Sequence, residues 1–269
     1  MYEEYWRLKE LPFENTPDPR YFFGSERHRE ALSRLEHVVR TRKAGGLLTG
    51  VYGCGKTLVL QALRKSLEPE GNRFSMVQSP RLDDVGILRM VLYGFKKGTI
   101  PSEKADVLLE LERSIGAVAD DGKHSVVVID EAHAIDNEKV FEELRLLMNF
   151  QTETRSLATL LLVGQPELKP RVEANKQLNQ RIALRYHLGP FTPEESRQYI
   201  LHRMKIGGAA GEPIFPPDVV EAIQKHSGGI PRWINHLCHL SLMIGFSKGA
   251  RELSVAHVDE AAQDLVGLT

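Results

Sequence analysis

The segment that most restricts the fold of this chain is the octapeptide GVYGCGKT, which runs from Gly50 to Thr57. It matches the pattern G-x-x-x-x-G-K-[ST] and lies between a short apolar segment, typical of a strand, and a helical pattern that begins near Lys56. Glycines allow the backbone N–H groups of such a loop to surround an anion, and the helix that follows directs the positive end of its dipole at the same anion. The octapeptide therefore predicts a strand, a phosphate-binding loop and a helix in succession.

A second feature is the run Val126-Val127-Val128-Ile129, which two acids follow directly. Its β-branched residues do not alternate with polar ones, which is typical of a strand buried on both faces of a parallel sheet. The segment TLLLVG, Thr159 to Gly164, repeats this pattern. Strands and helices alternate as far as Leu188, which predicts an α/β fold with a parallel sheet flanked by helices.

The alternation stops after Leu188, and every later segment has a helical pattern. Thr192 and the Pro-Glu-Glu that follows it form a strong helix start, with a cap, proline at the first position and acids in the first turn. The sequence thus predicts an α/β nucleotide-binding domain over residues 1–190 and a small all-helical lid domain over residues 191–269. Within the first domain, we expect residues 1–25 to pack as an extended segment.

The phosphate loop assigns specific roles to a few side chains. We expect Lys56 to reach the β and γ phosphates and the hydroxyl of Thr57 to bind Mg²⁺. Cys54 occupies a position where only the backbone is required, so it is either a tolerated small residue or a thiol activated by the helix terminus. The predicted nucleotide-binding residues of the loop are Gly50, Val51, Tyr52, Gly53, Cys54, Gly55, Lys56, Thr57 and Leu58.

The two acids after the second strand, Asp130 and Glu131, are expected at the carboxyl edge of the sheet beside the phosphate loop. Asp130 would hold Mg²⁺, and Glu131 would polarise the attacking water. Taken alone, the pair could equally be two solvated acids at the end of an ordinary strand. Together and in this order, the two motifs predict a P-loop protein that binds a nucleotide with Mg²⁺ and hydrolyses it.

Composition excludes several other classes of protein. Lys and Arg total 35 and Asp and Glu total 36, so the net charge of −1 gives no overall attraction to nucleic acid or anionic lipid. Two cysteines are too few for a disulfide framework, and no apolar stretch reaches the roughly 20 residues of a membrane span. The charged N-terminus lacks the apolar region of a signal peptide, so we expect a cytoplasmic protein.

Beyond these motifs, long segments resemble the ATPase module of AAA+ proteins of the ExeA/GspA type, which are linked to type II secretion and pilus assembly. The resemblance rests on YWRLKELPFENTPDPRYFFGSERHREAL, LRLLMNFQT, LLVGQPEL, LNQRIALRYHLGPFTPEESRQYILHRM and GGIPRWINHLC. It implies an oligomeric ATP-driven motor or switch with a protein partner in the assembly of an envelope machine. The module also resembles transposition ATPases of the TniB/TnsC/MuB kind, which implies an ATP-dependent DNA-binding adaptor as the alternative.

The resemblance also implies roles for residues outside the two motifs. Gln165 corresponds to the first sensor, which contacts the γ-phosphate or the water, and Arg232 to the second sensor of the lid. Arg181 or Arg185 corresponds to the arginine finger of a neighbouring subunit, and we favour Arg181. Proteins of this type commonly continue into a membrane span and a periplasmic part, so we expect either a stand-alone member or the ATPase module of a longer one.

Overall fold

The computed structural model describes residues 2–16, 18–96, 98–209 and 214–266. Its strands are β1 (Gly45–Gly50), β2 (Asn72–Val77), β3 (His124–Ile129), β4 (Ala158–Gly164) and β5 (Ile182–Leu188). Its helices are α1 (Tyr2–Tyr5), α2 (Glu26–Arg40), α3 (Lys56–Leu67), α4 (Asp84–Phe95), α5 (Lys104–Asp120), α6 (Glu138–Leu147), α7 (Leu168–Ala174), α8 (Lys176–Arg181), α9 (Pro193–Ile206), α10 (Pro217–Ser227), α11 (Pro231–Ser247) and α12 (Val255–Val266).

The described residues form two compact units. The first contains Arg27–Tyr52 and Val59–Leu188, and the second contains Met1–Glu26, Gly53–Leu58 and Gly189–Thr269. We call them the sheet unit and the helical unit. The division falls within the phosphate loop predicted from the sequence, between Tyr52 and Gly53.

The sheet unit contains five parallel strands in the order β2-β3-β4-β1-β5. Every residue of β1, β3 and β4 is buried, as expected for strands that are covered on both faces. The core of the unit is formed by strand residues such as Leu47, Val127 and Leu162 together with Leu92, Leu111 and Phe141 of the helices. The predicted α/β fold with a parallel sheet is confirmed.

The pairing register aligns the carboxyl ends of the three inner strands. Ile129 pairs with Leu162 of β4, and Thr49 of β1 pairs with Gly164 at the end of β4. The residues that follow these ends therefore leave the same edge of the sheet: Val51, Asp130 and Gln165. A parallel sheet usually carries its ligand site at this edge.

The helical unit has its own apolar core, and the N-terminal segment contributes to it. Trp6 and Phe13 are buried with Ile200, Ile223 and Leu242 of the C-terminal helices. Buried Arg203 fixes the segment to α9, because its guanidinium donates hydrogen bonds to the carbonyls of Pro12 and Glu14 and lies 4.5 Å from the ring centroid of Tyr21. This burial explains why the segment belongs to the helical unit.

The placement of residues 1–25 differs from our expectation in two ways. The segment is not extended throughout, since Tyr2–Tyr5 form α1. It also clusters with the C-terminal helices rather than with the sheet. Its aromatic and apolar residues are numerous enough to take part in a core, and they complete the core of the C-terminal helices.

Two local predictions have different outcomes. The helix start at Thr192 is confirmed, because the Thr192 side chain accepts a hydrogen bond from the Glu195 backbone while the Glu195 side chain accepts one from the Thr192 backbone. The helical pattern that begins at about Glu167 predicts one helix, and the structure has two instead, α7 and α8, since Asn175 leaves the helical conformation and caps the second helix through Leu178 N–H. None of the helices in the described ranges combines the length and apolarity needed to cross a bilayer.

Candidate functional site

The loop between β1 and α3 has the backbone that a phosphate cradle requires. Gly53 and Gly55 adopt φ values of +82° and +89°, which are strained for residues with a side chain. Position 50 requires glycine for a different reason, since a Cβ there would lie 2.5 Å from the Leu188 carbonyl oxygen. Gly53 and Gly55 are thus required for the backbone conformation of the loop and Gly50 for its close packing.

Lys56 is the first residue of α3 and is buried, with 4% of its surface exposed. Lysine is rarely this buried without a partner for its ammonium group. Thr57 and Leu58 follow it in the first helical turn and are half-buried. Cys54 is fully buried within the loop.

Arg232, the predicted second sensor, lies in the first turn of α11 and contacts the phosphate loop within the helical unit. Its backbone N–H donates a hydrogen bond to the Gly53 carbonyl at 3.3 Å, and a Cβ on Gly53 would lie 2.8 Å from the Arg232 Cβ. Burial and the Arg232 guanidinium lower the pKa of His236, one turn further along α11, and the Asn15 amide contacts that ring at 3.2 Å. The start of α11 is therefore fixed to the loop.

The two acids at the end of β3 occupy different environments. Asp130 is buried, its backbone N–H donates to the Val77 carbonyl, and its Oδ1 accepts the Glu131 backbone N–H at 2.9 Å. Glu131 has a side chain that is 37% exposed and a backbone in the left-handed region at φ +53°. Such strain in a residue other than glycine persists only where the surroundings enforce it, and it is common at functional sites.

Gln165, the predicted first sensor, follows the last residue of β4 and contacts His133. The Gln165 backbone N–H donates to His133 Nδ1 at 3.3 Å, and the Gln165 side-chain amide lies 2.9 Å from His133 Nε2. The same Nε2 lies 3.5 Å from the Glu131 carboxylate. The three side chains thus form one connected group at the edge of the sheet.

Arg171 on α7 supports this group, and the sequence analysis did not identify it. Its guanidinium donates to the His133 carbonyl at 3.0 Å and to Glu138 at 2.7 Å, and it lies 4.9 Å from the ring centroid of Phe141. These contacts fix the 3-10 turn Ala132–Ala134, which carries His133. No local sequence motif marks Arg171, because all its partners come from distant positions.

Comparison with known proteins identifies the family. The model of a family described as AAA domain matches residues 39–172. Over 272 aligned residues the chain is 35% identical to general secretion pathway protein A of Aeromonas hydrophila, and the alignment covers 100% of this chain. The chain belongs to the AAA+ family and is of the ExeA/GspA type. It spans 49% of that relative's length.

Solved structures confirm the AAA+ fold. The ORC2 protein of Aeropyrum pernix, in ADPNP and ADP complexes, aligns with a TM-score of 0.68 at 16% identity over 96% of this chain and 72% of its own. The Drosophila ORC structure bound to DNA aligns with a TM-score of 0.75 at 15% identity over 99% of this chain and 66% of its own. At such identities, these likenesses concern the fold alone.

The two arginine-finger candidates of this AAA+ chain make local contacts within the sheet unit. Arg181, the last residue of α8, donates to the Met148 carbonyl at 3.0 Å. Arg185, in the middle of β5, donates to the Asn179 carbonyl and side-chain oxygens at 2.7 Å. Carbonyl and amide oxygens of the same chain thus position both guanidiniums.

Proposed function

We propose that this AAA+ chain binds Mg·ATP and hydrolyses it to ADP and phosphate. The observation that best supports the proposal is the loop after β1, where two glycines with positive φ precede a buried lysine at a helix start. Backbone N–H groups, a helix dipole and an ammonium group together suit a polyphosphate. The chemistry of the residues present therefore fits the nucleotide.

The roles of the other residues follow from their chemistry. Thr57 and Asp130 would hold Mg²⁺, since a hydroxyl and a carboxylate are the oxygen ligands that this ion prefers. When bound, Mg²⁺ neutralises charge on the phosphate oxygens. Glu131, with its exposed carboxylate, would orient the attacking water and accept its proton, while Gln165 and Arg232 would contact the phosphates as sensors.

The proposal extends to assembly. Arg181 of one subunit would complete the site of its neighbour, so that hydrolysis depends on a homo-oligomer. The relation to general secretion pathway protein A supports a role on the cytoplasmic side of a secretion or pilus system, with a protein of that system as partner. Nucleotide-dependent motion of the subunits would be the output.

Measuring ATPase rate per subunit against protein concentration tests this dependence. We expect the rate to rise with concentration and to reach a plateau as the oligomer forms, with sedimentation velocity recording the oligomer in the same range. A high rate that stays flat down to concentrations where the protein sediments as a monomer would contradict a shared site.

The transposition-type function remains a second candidate. Its support is the sequence resemblance alone, because the Drosophila ORC that is bound to DNA is only 15% identical to this chain. The two functions share the ATP site and differ in the ligand of the assembled form. An ATP-dependent gel shift of duplex DNA at moderate salt would favour the DNA-binding adaptor, and its absence would favour the secretion role.

A further inference from the structure

His133 is placed between Glu131 and Gln165, two of the catalytic candidates, and has no role in the function proposed above. Its ring contacts both the backbone and the side chain of Gln165, and it lies 3.5 Å from the Glu131 carboxylate. The ring is mostly buried, with 19% of the side chain exposed. The role of the ring depends on which of its two nitrogens carries a proton.

The contact with the Gln165 backbone decides the tautomer. A backbone N–H can only donate, so His133 Nδ1, at 3.3 Å, must be the acceptor and carries no hydrogen. In a neutral imidazole the proton is then on Nε2, which needs an acceptor. Two acceptors lie within reach of Nε2: the Gln165 side-chain amide at 2.9 Å and the Glu131 carboxylate at 3.5 Å. The Gln165 amide is an acceptor when it is turned to present its oxygen to the ring.

The backbone around His133 holds the ring in this position. Arg171 donates to the His133 carbonyl, and the Ala134 backbone N–H donates to the Glu131 carbonyl at 2.8 Å. Gly164 allows the close approach of the ring, since a Cβ there would lie 3.2 Å from His133 Nδ1 and 3.1 Å from the His133 backbone nitrogen. Such fixation is what a group needs if it is to orient another side chain.

We propose that His133 is a positioning residue that couples Gln165 to Glu131 through one shared proton donor. A single Nε2–H cannot be donated fully to two acceptors. When the Gln165 side chain turns away from His133 to donate its NH₂ group to a phosphate, the Nε2–H is donated to the Glu131 carboxylate alone and orients it toward the water. When Gln165 is not engaged, its amide competes for the same hydrogen, and Glu131 is held less firmly. This inference rests on the proposed ATPase function.

Two substitutions separate this role from simple packing. In His133→Asn the side-chain oxygen can still accept the Gln165 backbone N–H, but no donor reaches Glu131. In His133→Gln the side-chain amide extends about as far as Nε2 and can donate to Glu131. In His133→Asn we expect kcat to fall about tenfold to a hundredfold, while the affinity for Mg·ATP stays within about twofold of the wild-type value. In His133→Gln we expect most of this loss in kcat to be recovered.

A measurement without turnover tests the same point. The ¹⁵N resonances of the His133 ring in the nucleotide-free protein can be assigned by their absence from His133→Asn. We expect an unprotonated Nδ1 and a protonated Nε2. A ring that is protonated on Nδ1, or on both nitrogens, would overturn the inference. Equal losses of kcat in the two variants, or an unchanged kcat in His133→Asn, would also overturn it. Wild-type protein that binds Mg·ATP without hydrolysing it would instead overturn the proposed function.

Discussion

Replacing Glu131 by glutamine is expected to lower ATP turnover about a thousandfold while Mg·ATP affinity stays within about twofold of the wild-type value. The carboxamide has nearly the shape of the carboxylate but cannot accept a proton from water. The Glu131 side chain is 37% exposed, so loss of its charge leaves no buried group unpaired and should not unfold the protein. Phosphate release gives the turnover, and titration calorimetry gives the affinity.

Asp136→Asn is a matched control, because it removes one negative charge at an exposed position five residues along the chain. We expect this variant to keep the wild-type rate. Equal losses in the two variants would point to a general electrostatic effect, and full turnover in Glu131→Gln would remove Glu131 from the mechanism.

Replacing Arg181 by alanine is expected to reduce turnover about a thousandfold without weakening Mg·ATP binding, because an arginine finger stabilises charge that develops only during transfer. Arg185→Ala is the matched control, since its guanidinium also contacts oxygens of its own chain. We expect its turnover to stay near the wild-type value. A large loss in Arg185→Ala, with little change in Arg181→Ala, would exchange the two assignments.

Mixing two inactive variants tests whether the arginine acts on a neighbouring subunit. An Arg181→Ala subunit has an intact site and lacks the finger, whereas a Glu131→Gln subunit has the finger and lacks the base. In a ring assembled at random from equal amounts of the two variants, about a quarter of the interfaces place the intact site of an Arg181→Ala subunit against the finger of a Glu131→Gln subunit. About a quarter of the wild-type rate should therefore return. If mixing restores no activity although the subunits co-assemble, the finger does not act across the interface.

The sheet could be predicted because its strands have simple, local signals. The runs in β3 and β4 are apolar without alternation, and both strands are fully buried in a parallel sheet. The N-terminal segment was placed wrongly for the opposite reason. Its packing depends on Arg203, which binds the carbonyls of Pro12 and Glu14 from 191 and 189 residues away, and no local pattern encodes such a contact.

The candidate site also has a part that the sequence predicts and a part that it does not. The phosphate loop and the acids after β3 follow from motifs in which spacing and residue type are fixed by chemistry. The left-handed backbone of Glu131 and the contacts of His133 with Gln165 and Arg171 depend on side chains that the fold brings together. Sequence motifs therefore mark the groups proposed to react, but they do not reveal the contacts that hold those groups in position.

The most direct test of the whole account is the affinity of the purified protein for Mg·ATP, measured by titration calorimetry on wild type and on Lys56→Ala. We expect saturable binding to the wild-type protein and a loss of about thirtyfold or more in the variant, because Lys56 is buried and its ammonium group would pair with the phosphates. Absence of binding to the wild type, or equal binding to a folded Lys56→Ala variant, would contradict the account.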